Sequence, residues 1–126
     1  MGAQRRIKIT AGDVQVAAVL GSGATADLVW DALPIEASAS TWGDEIYFRT
    51  SIEAAEEPGA SDVVDLGDVA FWPPGQALCL FFGPTPASRG GEIRAASAVN
   101  VIGKIDGDPA VLKAVPSGAR IVVEGA

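Results

Sequence analysis

The chain has 126 residues, of which 48% are hydrophobic and 20% charged, and its formal net charge is −7. This length and composition are typical of one globular domain with a real core, so we expect a single domain over residues 1–126. The negative charge argues against nucleic acid and anionic membranes as partners, because both need a basic face. The absence of histidine excludes the catalytic and zinc sites that depend on imidazole.

The cysteine count and the hydrophobic pattern indicate the compartment. A single cysteine, Cys79, cannot form an internal disulfide. No apolar run reaches the length of a signal peptide or a membrane span. We therefore expect a cytoplasmic protein. Since no cluster of ligand-type residues is visible in the sequence, we expect no metal and no cofactor.

The first half of the chain predicts short strands and one short helix. Strand-forming residues occur at 7–10, 14–20, 35–41 and 45–51, and turn residues separate these runs. A helix is predicted over 25–33, because Thr25 is a suitable capping residue and Pro34 ends the helix.

The second half begins with an acidic segment, 53–65, which has five acidic residues and no basic one. This composition predicts a mobile, solvated loop that ends in a short strand over 63–66. Further strands are predicted at 69–72, 77–82, 98–105 and 120–124. A second short helix is predicted from Pro109 to residue 115, after a cap at Asp108. Many short strands with two isolated helices predict a mainly β domain of barrel type.

The segment 67–86 carries half of the prolines and half of the aromatic residues of the chain. Its prolines exclude a regular helix, and 77–82 is a short buried strand between Gly75 and Gly83. Aromatic rings beside rigid proline turns are a common way to build a small apolar pocket. This segment therefore predicts a pocket.

Several strings in the sequence resemble cyclophilins. Residues 25–29 (TADLV) resemble the first cyclophilin helix, 99–107 (VNVIGKIDG) resemble a late strand and its turn, and 47–49 (YFR) stand where a cyclophilin has Phe-His-Arg. The closer resemblance is to a small prokaryotic family of cyclophilin-like proteins of unknown function. It is carried by the strings 42–48 (WGDEIYF), 67–69 (GDV), 72–75 (WPPG) and 81–86 (FFGPTP). The resemblance implies a closed cyclophilin-like β-barrel of about eight strands, with two short capping helices.

Arg49 is the candidate catalytic residue that this resemblance implies. The arginine of the cyclophilin string hydrogen-bonds the proline nitrogen while the amide twists, against an uncatalysed barrier of roughly 20 kcal/mol. Strand alternation puts Arg49 on the same face as Glu45 and Tyr47. The alternative is an exposed strand arginine that pairs with Glu45 or with the acidic loop.

Five residues are candidates for ligand binding. Tyr47, Trp72 and Phe82 could supply aromatic walls, and Glu45 and Gln76 could supply polar groups. The alternative for the three rings is ordinary core packing, and for the two polar residues a place in a solvated turn. Trp72, which lies next to Pro73, is the strongest candidate of the three rings, because a tryptophan is rarely buried completely in a small core.

Three functions agree with these observations. We favour a binding module that holds a small-molecule or peptide-like ligand in an aromatic-lined pocket. The second hypothesis is a weak or divergent peptidyl-prolyl isomerase that uses Arg49. The third is a protein-interaction or subunit-type domain, since related barrels occur inside larger amide-hydrolysing enzymes. The ligand and the oligomeric state stay open.

Overall fold

A computed structural model describes residues 5–126, which form ten strands, one α-helix and two short 3₁₀ helices. The strands are β1 (Arg5–Ala11), β2 (Val14–Leu20), β3 (Ile35–Ser38), β4 (Ser40–Thr41), β5 (Glu45–Arg49), β6 (Ser61–Val64), β7 (Asp68–Trp72), β8 (Ala77–Phe81), β9 (Ile93–Asp106) and β10 (Arg120–Gly125). Helix α1 spans Ala24–Ala32, and the 3₁₀ helices span Pro73–Gly75 and Pro109–Ala114. The predicted mainly β class with two short helices, α1 and Pro109–Ala114, is confirmed. Within this part of the chain, no helix has both the length and the apolar character needed to cross a bilayer.

The strands form one antiparallel sheet in the order β3-β10-β1-β2-β9-β7-β8-β5-β4, and β6 pairs separately with β9. The predicted closed barrel is not confirmed, because no hydrogen-bonded ladder in the described chain joins the outer strands β3 and β4. These two strands follow one another across Ala39, which bonds instead to the turn before β10. The Ala39 N–H donates to the Ala119 carbonyl at 2.8 Å, and its carbonyl accepts from the Gly118 N–H at 2.7 Å. One extended segment, 35–41, therefore pairs with β10 at its beginning and with β5 at its end.

The main core lies on the inner face of this sheet. Alternation along each strand turns every second apolar side chain inward, as at Ile7 and Ile9 of β1. Helix α1 packs Ala26 and Val29 against the same core. The remaining large, fully enclosed members come mainly from the central strands: Ile46, Phe48, Phe71, Leu78, Leu80, Leu112 and Ile121.

A second, smaller core lies on the other face of β7 and β8. All five residues of β8 are buried, because Leu78 and Leu80 face the main core while Cys79 and Phe81 face the small one. The cover comes from β6 and from the first half of β9, through Val64, Ala95 and Val99 among others. The second half of β9 pairs with β2 and β7. One 14-residue strand thus belongs to both layers.

The acidic segment is tied to the fold at its centre, contrary to the mobile loop that its composition predicts. The Glu57 carboxylate accepts hydrogen bonds from the Thr25 hydroxyl and from the Thr25 N–H (3.1 Å), in the first turn of α1. Asn100, which is buried on β9, accepts from the Glu57 N–H (2.8 Å) and donates to the Ala55 carbonyl (2.9 Å). Glu57 therefore accepts a hydrogen bond at the start of α1, where the sequence predicts that Thr25 caps the helix.

This buried network yields a first prediction. Asn100→Ala leaves the Ala55 carbonyl and the Glu57 N–H without their partner, so we expect the free energy of unfolding to fall by about 1–3 kcal/mol. Urea unfolding measures this loss, and amide hydrogen exchange at Glu57 should accelerate. Glu56→Ala, an exposed neighbour in the same loop, is the control. An unchanged unfolding midpoint for Asn100→Ala would contradict the anchoring role.

Candidate functional site

A pocket of about 310 Å³ opens beside the small core, on the outer face of the sheet. Its walls are mostly apolar and aromatic and include one carboxyl group, that of Glu45. The lining residues come from the turn before β5 and from β5, β7, β8 and β9: Trp42, Glu45, Tyr47, Trp72, Cys79, Ala95, Ala96 and Val99. The layer formed by β6 and the first half of β9 ends here, so an apolar part of the outer face of the sheet remains open.

Strand alternation in β5 brings Glu45 and Tyr47 to this face. Ile46 and Phe48, between and beyond them, enter the main core. The register with β8 places Tyr47 opposite Cys79, which puts the tyrosine ring beside the floor of the pocket. Tyr47 is 37% exposed, so it stands at the rim rather than in a core.

Glu45 is the chemically distinctive group of the pocket. It is only 5% exposed, and burial raises its pKa to about 7, although a hydrogen bond with the Cys79 thiol lowers it in part. Near neutral pH this carboxyl is therefore present in both its protonated and its ionised form. Among residues 5–126, no group of three or more acids or cysteines could hold a metal ion.

The Cys79 thiol stays protonated in this setting. Burial raises its pKa well above the usual value, and the neighbouring Glu45 raises it further. The thiol lies near two acceptors, the Glu45 carboxylate and the Ala77 carbonyl, the latter at 3.9 Å. Cys79 is thus a small wall residue and a weak donor, and it lacks the thiolate character of a nucleophile.

The indole of Trp72 is held at two opposite edges. Its Nε1–H donates to the Ser97 hydroxyl at 2.6 Å. On the other edge lies Gly75, where a Cβ would stand only 2.5 Å from Cζ3 and 2.6 Å from Cε3 of the ring. The WPPG string is therefore explained by a turn whose glycine makes room for its own tryptophan.

The turn that follows Trp42 lies close against a second turn, at residues 83–86. Gly43 has φ +61°, and a Cβ there would lie 2.8 Å from Pro86 Cδ. A Cβ on Gly83 would similarly lie 2.8 Å from the Cβ of Asp44. Backbone hydrogen bonds join the same turns, including Asp44 N–H to the Pro84 carbonyl at 2.9 Å. The strings 42–48 and 81–86 therefore form one packed unit at the pocket.

The structure brings three of the predicted site residues together and leaves three elsewhere. Glu45, Tyr47 and Trp72 line the same pocket. Arg49 shares their face of the sheet but is exposed and lines another concavity, beside Pro34 and Glu36 among others.

Gln76 and Phe82 also lie outside the pocket. Gln76 has φ +50° after the 3₁₀ turn and lines a polar depression with Pro73 and Pro74. Phe82 is packed in the main core, whereas Phe81 belongs to the small core beside the pocket. Of the two adjacent rings, the one that supports the pocket is thus Phe81.

Two parts of the wall are not among the site residues predicted from the sequence. Trp42 was available, because it begins the string that also contains Glu45 and Tyr47. Ala95, Ala96 and Val99 gave little signal, because small residues around 95–98 carry no clear strand pattern. The predicted strand accordingly began at 98, whereas β9 begins at Ile93.

The second prediction concerns Gly75. Gly75→Ala drives a Cβ into the Trp72 ring from the edge opposite Ser97, so we expect the indole to leave its present position and the free energy of unfolding to fall by about 1–3 kcal/mol. The Trp72 Nε1–H resonance in NMR spectra reports the altered hydrogen bond to Ser97. Gly91→Ala is the matched control, since a Cβ there meets no atom within 4 Å. An unshifted indole resonance in Gly75→Ala would contradict the contact.

The third prediction concerns pH and follows from Glu45. Its pKa is about 7 when folded, against 4.5 without the fold, so between these values the folded protein binds more protons than the unfolded chain. The stabilising protonated form is fully present below pH 4.5 and is lost as the pH rises through 7. Wild-type stability should fall over this range by up to about 3 kcal/mol relative to Glu45→Gln. Urea unfolding at several pH values measures the difference, with Glu56→Gln as control, and a pH-independent difference would contradict it.

Comparison with known proteins identifies the family. Residues 5–124 match the family described as Cyclophilin-like. The solution structure of the hypothetical protein AF2241 from Archaeoglobus fulgidus is similar over 100% of this chain and 98% of that one, with 45% identity and a TM-score of 0.84. A search of curated proteins gave no significant match. The chain belongs to the cyclophilin-like family, a family of unknown function.

Proposed function

We propose that the protein is a binding module whose pocket, lined by Trp42, Tyr47 and Trp72, holds a small or peptide-like, mostly apolar ligand. One observation carries this proposal: three aromatic rings and a buried carboxyl surround one open space of about 310 Å³. Ligand pockets are typically apolar cavities with a few polar groups that set orientation. The volume lies near the lower end of their range, which suits a small molecule or one side chain of a peptide.

The walls are supported in a way that favours binding over simple core packing. Ser97 and Gly75 hold the two edges of Trp72, and the turn directly after Trp42 is packed closely against Pro86. A pre-formed wall loses little conformational freedom when a ligand enters, so more of the contact energy contributes to affinity. Rings that merely filled a core would be enclosed by protein, and Tyr47 is not.

The isomerase alternative has no comparable geometric support. Arg49 lines a separate concavity with Pro34 and Glu36 and so stands apart from the aromatic pocket. The protein-interaction alternative likewise has no observation of its own. The Archaeoglobus fulgidus relative does not indicate which ligand would bind, since that protein is described as hypothetical.

The fourth prediction tests the pocket with three small probes: benzyl alcohol, 3,3-dimethylbutan-1-ol and choline. We expect at least one probe to shift the amide resonances of Ala95 and Ala96 and the indole resonance of Trp72, with a Kd on the order of millimolar for ligands of this size. Ala96→Leu fills the pocket from an exposed wall position and should weaken binding at least about tenfold.

Ala114→Leu is the matched control, because it makes the same change at an exposed alanine of the 3₁₀ helix Pro109–Ala114. It should leave every Kd unchanged. Failure of all three probes to shift the pocket resonances would contradict the proposed function. Acceleration of prolyl isomerisation by wild type and its loss in Arg49→Ala would favour the enzyme instead.

A further inference from the structure

We propose that the pocket is an aromatic cage for a small organic cation, an alkylammonium group held among Trp42, Tyr47 and Trp72 and against the Glu45 carboxylate. This inference rests on the proposed function and names the chemical class of its ligand.

The composition of the wall carries the first step. Aromatic rings attract a cation electrostatically through their faces, most strongly when the ring is tryptophan, and sets of such rings recognise methylated ammonium groups. Two of the three rings here are tryptophans, and the third is a tyrosine at the rim. The edges of Trp72 are occupied by Ser97 and Gly75, which leaves the ring faces for packing.

The charges around the pocket carry the second step. Neither a lysine nor an arginine is among the described residues that line it. Arg94, next to the wall residue Ala95, lines a different concavity and is paired with Asp62 and Glu92. An anionic ligand would meet Glu45 and find no base to pair with it. The Trp72 N–H already donates to Ser97 and is not free to donate to an anion.

The state of Glu45 carries the third step. A buried carboxylate without a positive partner is costly. The hydrogen-bond partner of this one is the Cys79 thiol, and none of the salt bridges among the described residues includes it. An ammonium ion in the pocket would supply a positive charge beside this carboxylate. A neutral ligand would leave the ionised form of Glu45 as costly as before.

The coupling to protons has a definite sign. A cation binds the ionised form of Glu45, so its affinity should rise as the pH rises through about 7, the pKa to which burial raises this group. The other titratable groups of the wall are Tyr47 on β5 and Cys79 on β8, and β7 and β9 contribute none. Asp44 lies next in sequence but packs against Gly83. Burial keeps the Cys79 thiol protonated.

The experiment compares choline with 3,3-dimethylbutan-1-ol, its neutral isostere, by NMR titration of the intact protein at about pH 8 and about pH 5.5. At the higher pH we expect choline to bind at least about tenfold more tightly than the alcohol. This preference should shrink by about tenfold or more at the lower pH and in Glu45→Gln, while Glu56→Gln keeps it. A trimethyllysine peptide, titrated beside choline, distinguishes a cation carried on a peptide from a free molecule.

The outcomes separate the two proposals. Equal or tighter binding of the alcohol by the wild-type protein at the higher pH overturns the cation cage and leaves the proposed function standing. A choline preference that survives in Glu45→Gln overturns the assignment of the carboxylate. No shift of the pocket resonances with any probe overturns the proposed function and the cage together. A shift of the Ala95 and Trp72 resonances by choline, with the expected pH dependence, supports both.

Discussion

The two-sided burial of β8 is the constraint on which the site depends. Its side chains alternate between the main core, at Leu78 and Leu80, and the outer face, at Cys79 and Phe81. A strand that is apolar on both faces needs a second layer, as in sheets covered on both sides. The first half of β9 and the short strand β6 provide that layer over only part of the face. Where this cover ends, apolar surface remains without a protein partner, and the pocket occupies that place.

Glu45 lies at the boundary of this cover, which gives the site its electrostatic character. In a fully solvated position the ionised carboxylate would cost little free energy, and in a fully packed core an apolar residue would be favoured instead. In this structure the side chain is buried, and the described residues that line its pocket include no lysine or arginine. Such a conflict between local stability and residue choice is typical of functional positions, because natural proteins accept a stability loss where a site needs it.

The sequence was most informative where alternation and turn residues act locally. It predicted the class, α1, the second helix after Asp108, and the face shared by Glu45 and Tyr47, since each follows from neighbouring residues. It could not predict the early start of β9 or the anchoring of Glu57 by Asn100, because both depend on residues far apart in the chain. The closed barrel is left unconfirmed for a related reason. Segment 35–41 is continuous in sequence, and only its distant partners divide it between β10 and β5.

The family strings gain a physical meaning from the same geometry. Three of the four, at 42–48, 72–75 and 81–86, either line the pocket or fix its walls through the close approaches of Gly43, Gly75 and Gly83. A glycine of ordinary φ that faces open space, such as Gly91, could be replaced at little cost, whereas these three meet other atoms at distances that exclude a Cβ. The resemblance is therefore concentrated on positioning Trp42, Tyr47 and Trp72 around Glu45. Arg49, which directly follows the first string, lies outside that arrangement, so the geometry of these strings supports the proposed binding pocket more than the isomerase alternative.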